Sequence, residues 1–190
     1  MHTIRLTGRI QLSENGDLRP QPGDHRQTVV YYVPEQGGMR PKPGRYSIYT
    51  QGKAFDPPYL VVPVGSTISF PNNDPIRHNV YSPTPGAAFD LGFYGEGDSR
   101  ERVFDRPGLV LLNCNVHRAM QAEVLVLPTV HHARTDDEGH FHLEGLPAGR
   151  GTLHYWHPRA GLQSLPLSLP SGQPVERRLV LTRARAVRTP

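Results

Sequence analysis

The chain has 190 residues, with 21 Lys and Arg against 17 Asp and Glu, one cysteine, 19 glycines and 20 prolines. That length suits one large or two small domains, each with a core of its own. The lone cysteine excludes an internal disulfide framework, and no apolar run approaches the roughly 18 residues of a membrane span. The net charge of +4 is unevenly placed: residues 46–128 carry −2 and the flanks +6, ending in Arg183, Arg185 and Arg188. These arginines are scattered and not interleaved with aromatics, so they read as solvated surface and no nucleic-acid partner is expected.

Glycine and proline are spread between short apolar runs, the pattern of many turns between short strands, so the expected fold class is all-β. Met1-His2-Thr3 leads directly into a strand-like Ile4 to Leu12 with no signal-peptide pattern, and the chain reads as soluble. A second apolar strand follows at Thr28 to Val33. Between about Tyr46 and Leu127 come Leu60 to Val64, Gly65 to Phe70, Arg102 to Asp105, Pro107 to Leu112 and Gln121 to Leu127, with turns marked by Gly65 and Pro107-Gly108. Ala122, Val124 and Val126 share one face of the last of these, as a half-buried strand requires. Short strands at this spacing predict a β-sandwich.

Two stretches of this central segment carry chemistry. His78 lies in Phe70-Pro-Asn-Asn-Asp-Pro-Ile-Arg-His-Asn-Val80. Thirty-six residues later, Cys114-Asn-Val-His-Arg-Ala-Met120 sets the only cysteine, a histidine and a methionine at i, i+3 and i+6. Taken alone Cys114 is a small buried hydrophobe. His117 and Met120 on the same short loop change that: two imidazoles, a thiolate and a thioether are the ligand set of a mononuclear copper electron-transfer centre, with a His2Cys plane and a weak axial Met. The metal ligands expected are therefore His78, Cys114, His117 and Met120, and the cofactor is one type 1 copper.

These residues resemble the cupredoxins, and within them the plastocyanin- and amicyanin-like proteins, including methylamine-utilisation proteins. The resemblance rests on Phe55-Asp-Pro-Pro before a Val-rich strand, Gly65-Ser-Thr-Ile-Ser-Phe-Pro-Asn-Asn-Asp74, His78-Asn79, Phe89-Asp-Leu-Gly92, Pro107-Gly108 and Cys114 to Met120, about 80 residues in all. It implies a Greek-key β-sandwich over residues 46–128, equatorial His78, Cys114 and His117, and axial Met120. It also implies that Asn79 pins the ligand loop, that the partner is a redox protein (a cytochrome or copper enzyme), and that the protein is periplasmic or secreted. Relatives place a tyrosine immediately before the cysteine, where this chain has Asn113. With no aromatic there, one dominant electron route through His117 is expected.

The final third has another pattern. Thr135-Asp-Asp-Glu-Gly-His-Phe-His-Leu-Glu-Gly-Leu-Pro-Ala-Gly149 resembles the carboxypeptidase-regulatory, transthyretin-like β-sandwich, whose opening strands find counterparts in Leu6-Thr-Gly-Arg-Ile10 and Thr28 to Val33. Residues 1–45 and 129–190 are expected to form one discontinuous sandwich with the copper domain inserted. Pairing of strand 28–33 only within the copper domain would overturn this. His131, His132, His140, His142, His154 and His157 fall in this third, and His140 and His142 share a strand face opposite Phe141 and Leu143. With no neighbouring carboxylates or metal spacing evident, these six read as scattered surface histidines.

Three functions compete: a single-electron carrier, which the ligand set favours; a copper protein for storage, delivery or resistance using the same ligands; and an enzyme. Cys114 and His78 with an Asp would mimic a cysteine hydrolase, but that site needs an orienting third group and an oxyanion hole, and the spacing supplies neither. No enzymatic activity is expected.

Overall fold

Alternation decides the first strand. In β1 (Ile4–Ser13) Leu6, Gly8, Ile10 and Leu12 are buried and the residues between them are not, the period of a strand packed on one face. Gly8 is required, because a Cβ there would lie 2.2 Å from the Val175 carbonyl oxygen and 2.7 Å from the Phe141 ring. The computed structural model describes residues 3–185, so Arg188 lies outside the described residues.

After β1 the chain makes one 3-10 turn (Asp24–Arg26) and β2 (Val29–Pro34). Ten strands follow: β3 (Arg45–Ser47), β4 (Tyr49–Gln51), β5 (Ala54–Asp56), β6 (Tyr59–Pro63), β7 (Ser66–Pro71), β8 (His78–Ser82), β9 (Phe89–Tyr94), β10 (Ser99–Phe104), β11 (Gly108–Asn113) and β12 (Gln121–Leu127). The last five are β13 (His132–Arg134), β14 (His140–Leu146), β15 (Gly149–His157), β16 (Gly161–Leu169) and β17 (Val175–Val180). Two compact units result, one formed by residues up to Met39 with those from Thr129 onward, the other by Arg40–Pro128.

The Arg40–Pro128 unit is a two-sheet sandwich. One sheet has the order β6-β12-β11-β8-β9 and the other β10-β7-β3, with a β4-β5 hairpin beside them. Between the sheets lie Ile68 and Phe70 of β7, Phe104 of β10, Val80 of β8, Leu112 of β11, and Ala122, Val124 and Val126 of β12. Because β10 leaves the five-stranded sheet and β11 returns to it beside β8, the path crosses the sandwich in Greek-key fashion. The expected face of β12 does enter the core, but Glu123, Leu125 and Leu127 on its other face are buried too. It is covered on both sides.

This unit begins at residue 40, six residues before the start read from the sequence. The reason is local: Thr67 N–H donates to the Gly44 carbonyl at 3.0 Å and Gly44 N–H to Ser66 Oγ at 3.0 Å, tying the approach to β3 onto β7. Arg40, Lys42 and Arg45 thereby join the unit and bring its charge from −2 to +1.

The other unit is a second sandwich, with sheets β14-β1-β17 and β13-β2-β15-β16 enclosing Leu6, Ile10, Val30, Tyr32, Phe141, Leu143, Leu153 and Leu179. β2 pairs with β13 and β15, both of this unit. β17 runs parallel to β1 from Gly8↔Val175 to Ser13↔Val180.

Candidate metal centre

One end of the five-stranded sheet gathers the residues singled out by the sequence. His78 opens β8, and Asn113, the last residue of β11, pairs with Tyr81 of that strand. Cys114, His117 and Met120 occupy the loop that carries β11 into β12. The loop closes on itself through Met120 N–H to the His117 carbonyl at 2.9 Å. It is fixed to β8 from outside: Asn115 N–H donates to Oδ1 of the buried Asn79 at 2.7 Å. Asn79 therefore pins the loop.

Within this frame the ligand atoms of His78, Cys114 and His117 all lie within 4.8 Å of one another. Cys114 is 2% exposed, His78 is fully buried and His117 half-buried. The Cys114 Sγ to His78 Nδ1 distance is 3.8 Å, and the two imidazole centroids are 5.1 Å apart. A first-row metal with bonds of about 2.0 Å to nitrogen and 2.3 Å to sulfur spreads such a pair by roughly 3.7 Å at a trigonal angle. His117 Nδ1 is buried without a hydrogen-bond partner, a costly arrangement for a polar atom unless something else takes its lone pair. Among the described residues this is the one cluster of its kind. Met120 is buried in the same sandwich core as Cys114.

Asp74 was not anticipated. It is 6% exposed and its Oδ2 stands 2.7 Å from Nε2 of His78. Burial pushes its carboxyl up, but the N–H groups of Lys53, His78 and Gly52 together hold it below the ordinary carboxylate range. An ionised carboxylate accepts from Nε2–H, so the His78 Nδ1 lone pair faces the sulfur. The signal was in the chain, four residues before His78, yet its meaning depends on a hairpin that comes from elsewhere.

Asp74 also changes the case against a hydrolase. Cys114, His78 and Asp74 do form a thiol–imidazole–carboxylate series, so the orienting third group is present. What speaks against a nucleophile is access, since Cys114 Sγ sits in a buried residue of the core, and the second imidazole, His117, which such a series leaves without a task. At Asn113, where the resemblance led one to expect tyrosine, Tyr81 stands directly across the ladder. An aromatic is therefore beside that position, though not at it.

The six C-terminal histidines do not gather. His140 and His142 are exposed, while Phe141 between them and Leu143 after them are buried. Carboxylates do neighbour them: Asp136 and Glu138 at 3.6 and 3.5 Å from His140, Glu144 at 3.2 Å from His142. His157 is buried, its Nδ1 accepting from Arg159 N–H and its Nε2 against the Asp24 carbonyl, each at 3.0 Å.

No family model matches the chain, and no curated protein matches it. Solved structures do. A purple cupredoxin from Nitrosopumilus maritimus is 26% identical, with 43% of this chain and 99% of that one covered, at a TM-score of 0.39. Amicyanin from Paracoccus versutus is 19% identical over 50% of this chain and 85% of that one, at 0.40. A copper-containing nitrite reductase from Thermus scotoductus SA-01 is 22% identical over 61% of this chain but only 28% of that one, at 0.41. The chemistry of the site rests on the geometry of its own loop and not on these likenesses.

Proposed function

We propose that this chain is a type 1 copper protein of cupredoxin kind that passes single electrons between redox partners, with His78, Cys114 and His117 as equatorial ligands and Met120 as the axial one. The observation that carries this is the convergence of a buried thiol and two imidazole nitrogens, one of them without any other partner. Copper bound there supplies a one-electron couple between two oxidation states. The chain's own part is to hold the ligands still. His78 is fixed by Asp74, Cys114 by burial, and the loop by Asn79, so little rearrangement accompanies a change of charge and the barrier to electron exchange stays low.

Burial of Cys114 keeps water from the sulfur, and the half-buried His117 is the ligand closest to a partner, within a rim of exposed Val116, Arg118 and Ala119. The partner is a cytochrome or a copper protein, met in the periplasm or outside the cell. Residues up to Met39 with those from Thr129 onward form the transthyretin-like sandwich into which the copper unit is inserted.

Addition of Cu(II) tests the proposal. Native protein develops intense visible thiolate-to-copper absorption, and Cys114→Ser, which removes the sulfur, loses it while keeping its fold. Full colour in Cys114→Ser protein overturns the assignment. One observation favours a second reading, a thiol nucleophile: the Cys114–His78–Asp74 series. That reading requires rapid alkylation of metal-free Cys114 by iodoacetamide at neutral pH and no colour with copper.

A further inference from the structure

The β4-β5 hairpin turns through Gly52 and Lys53, both at positive φ, 61° and 55°. Two successive positive φ values make the two-residue turn whose twist suits a hairpin. Lysine in that region is strained by about 1 kcal/mol or more, and the turn spends its backbone donors on one group. Gly52 N–H reaches Asp74 Oδ1 at 2.7 Å and Lys53 N–H reaches Oδ2 at 2.9 Å. The hairpin is joined to the same segment a second time, by Asn73 N–H to the Thr50 carbonyl at 2.8 Å. Asn72 Oδ1 in turn accepts from Asp74 N–H at 2.9 Å. With His78 Nε2 at 2.7 Å, the carboxylate of Asp74, which is 6% exposed, has three N–H groups around it.

Resting on the copper reading, we propose that Asp74 and the Gly52–Lys53 turn are a device that sets the reduction potential and holds His78 on the metal. Charge is the reason. A buried site containing the Cys114 thiolate and the Asp74 carboxylate carries −2 from the protein, which neutralises a doubly charged ion and leaves a singly charged one with an excess of −1. At short range and low dielectric a net charge is costly, so the carboxylate favours the oxidised ion over the reduced one. It also makes the imidazole a better donor and fixes which nitrogen faces the metal. Asp74 touches no metal; it is a positioning residue acting through His78. The turn matters because the cost of an ionised carboxylate in this setting is offset only by donors aimed at it, and two of the three come from the hairpin.

The experiment is a redox titration of copper-loaded Asp74→Asn protein followed through the thiolate absorption. The amide cannot carry the charge. Cu(II) affinity falls by about tenfold or more relative to Cu(I), as loss of such outer partners does, which raises the midpoint by about 59 mV per tenfold. Lys53→Gly retains the N–H and relieves the backbone strain, and its midpoint stays at the native value. A coloured Asp74→Asn protein with the native midpoint overturns the device while leaving the copper reading intact; a native protein that shows no thiolate absorption overturns both. If Asp74→Asn does not fold, nitrogen-15 spectra of native metal-free protein decide. The Nε2–H of the His78 ring is downfield-shifted by the Asp74 carboxylate, and a neutral ring that carries its proton on Nδ1 refutes the proposal.

Discussion

At the scale of single residues, the cluster of His78, Cys114 and His117 was readable because the chemistry proposed for it is local. A cysteine, a histidine and a methionine spaced along one loop announce themselves whatever surrounds them, and only His78 had to come from a distance. Asp74 was unreadable for the opposite reason: a carboxylate in a polar Pro-Asn-Asn-Asp-Pro stretch reads as turn material until three N–H groups are seen around it. Met120 is where sequence and resemblance say most and contact geometry least. Its test is potentiometric. Met120→Leu retains copper and raises the midpoint, since loss of a weak donor and added apolar surface disfavour the more charged ion, and Met120→Gln lowers it. If neither substitution moves the midpoint, Met120 is a core residue.

The ligand loop and its neighbours, at the scale of elements, explain which strands were legible. β7, β11 and β12 alternate or run apolar for six or seven residues, and each was found within about a residue or two. β4 and β5 have three residues each, too few to show any period, and in β9 burial does not alternate. The site inherits the gap, for the unread hairpin is the one that grips Asp74. The loop's outer side makes a kinetic prediction. Val116 is 51% exposed and Arg118 stands next to His117, so, if electrons leave through His117, the expected partner carries negative charge near its cofactor. Stopped-flow reduction of an Arg118→Glu variant shows a slower association than the native protein at low salt, and the difference fades as ionic strength rises. An unchanged rate at low salt moves docking elsewhere. Tyr81→Leu, with its ring lost beside Asn113, leaves electron exchange unchanged if His117 is the dominant route.

For the molecule as a whole, stability concentrates where burial and charge meet. In the discontinuous unit Asp24, fully buried, pairs with the buried Arg159 and the part-exposed Arg185. Arg159 also donates to the carbonyls of Arg19 and Arg183, drawing the 3-10 turn, the end of β15 and the stretch after β17 together. Removing one member of a buried pair costs about 3 kcal/mol or more, so Arg159→Met lowers the urea midpoint by that equivalent. Acid has a defined sign here. Burial lowers the pKa of His157, and of His131, His132 and His154 with it. As pH falls below about 6.5 the unfolded chain takes up these protons while the folded one resists them, and stability drops. His157→Gln therefore flattens the dependence of the unfolding midpoint on pH below about 6.5.

The parallel partnership of β1 with β17, and its antiparallel one with β14, has a consequence for birth on the ribosome. Every strand that pairs with the first lies beyond residue 139, so at translation speeds of about 5–20 residues per second the opening strand waits on the order of ten seconds without a neighbour. By the end of that interval the Arg40–Pro128 sandwich has all its own strands, before β14 is made. The waiting strand is an open edge, the kind that recruits other nascent chains, and its outward residues include Arg5 and Arg9. Charges on an edge discourage such pairing. Both later find partners on the arriving β14 segment, Arg5 in the Glu144 carboxylate and Arg9 in the Glu138 carbonyl, so the groups that guard the strand while it is alone become part of its seam once it is joined.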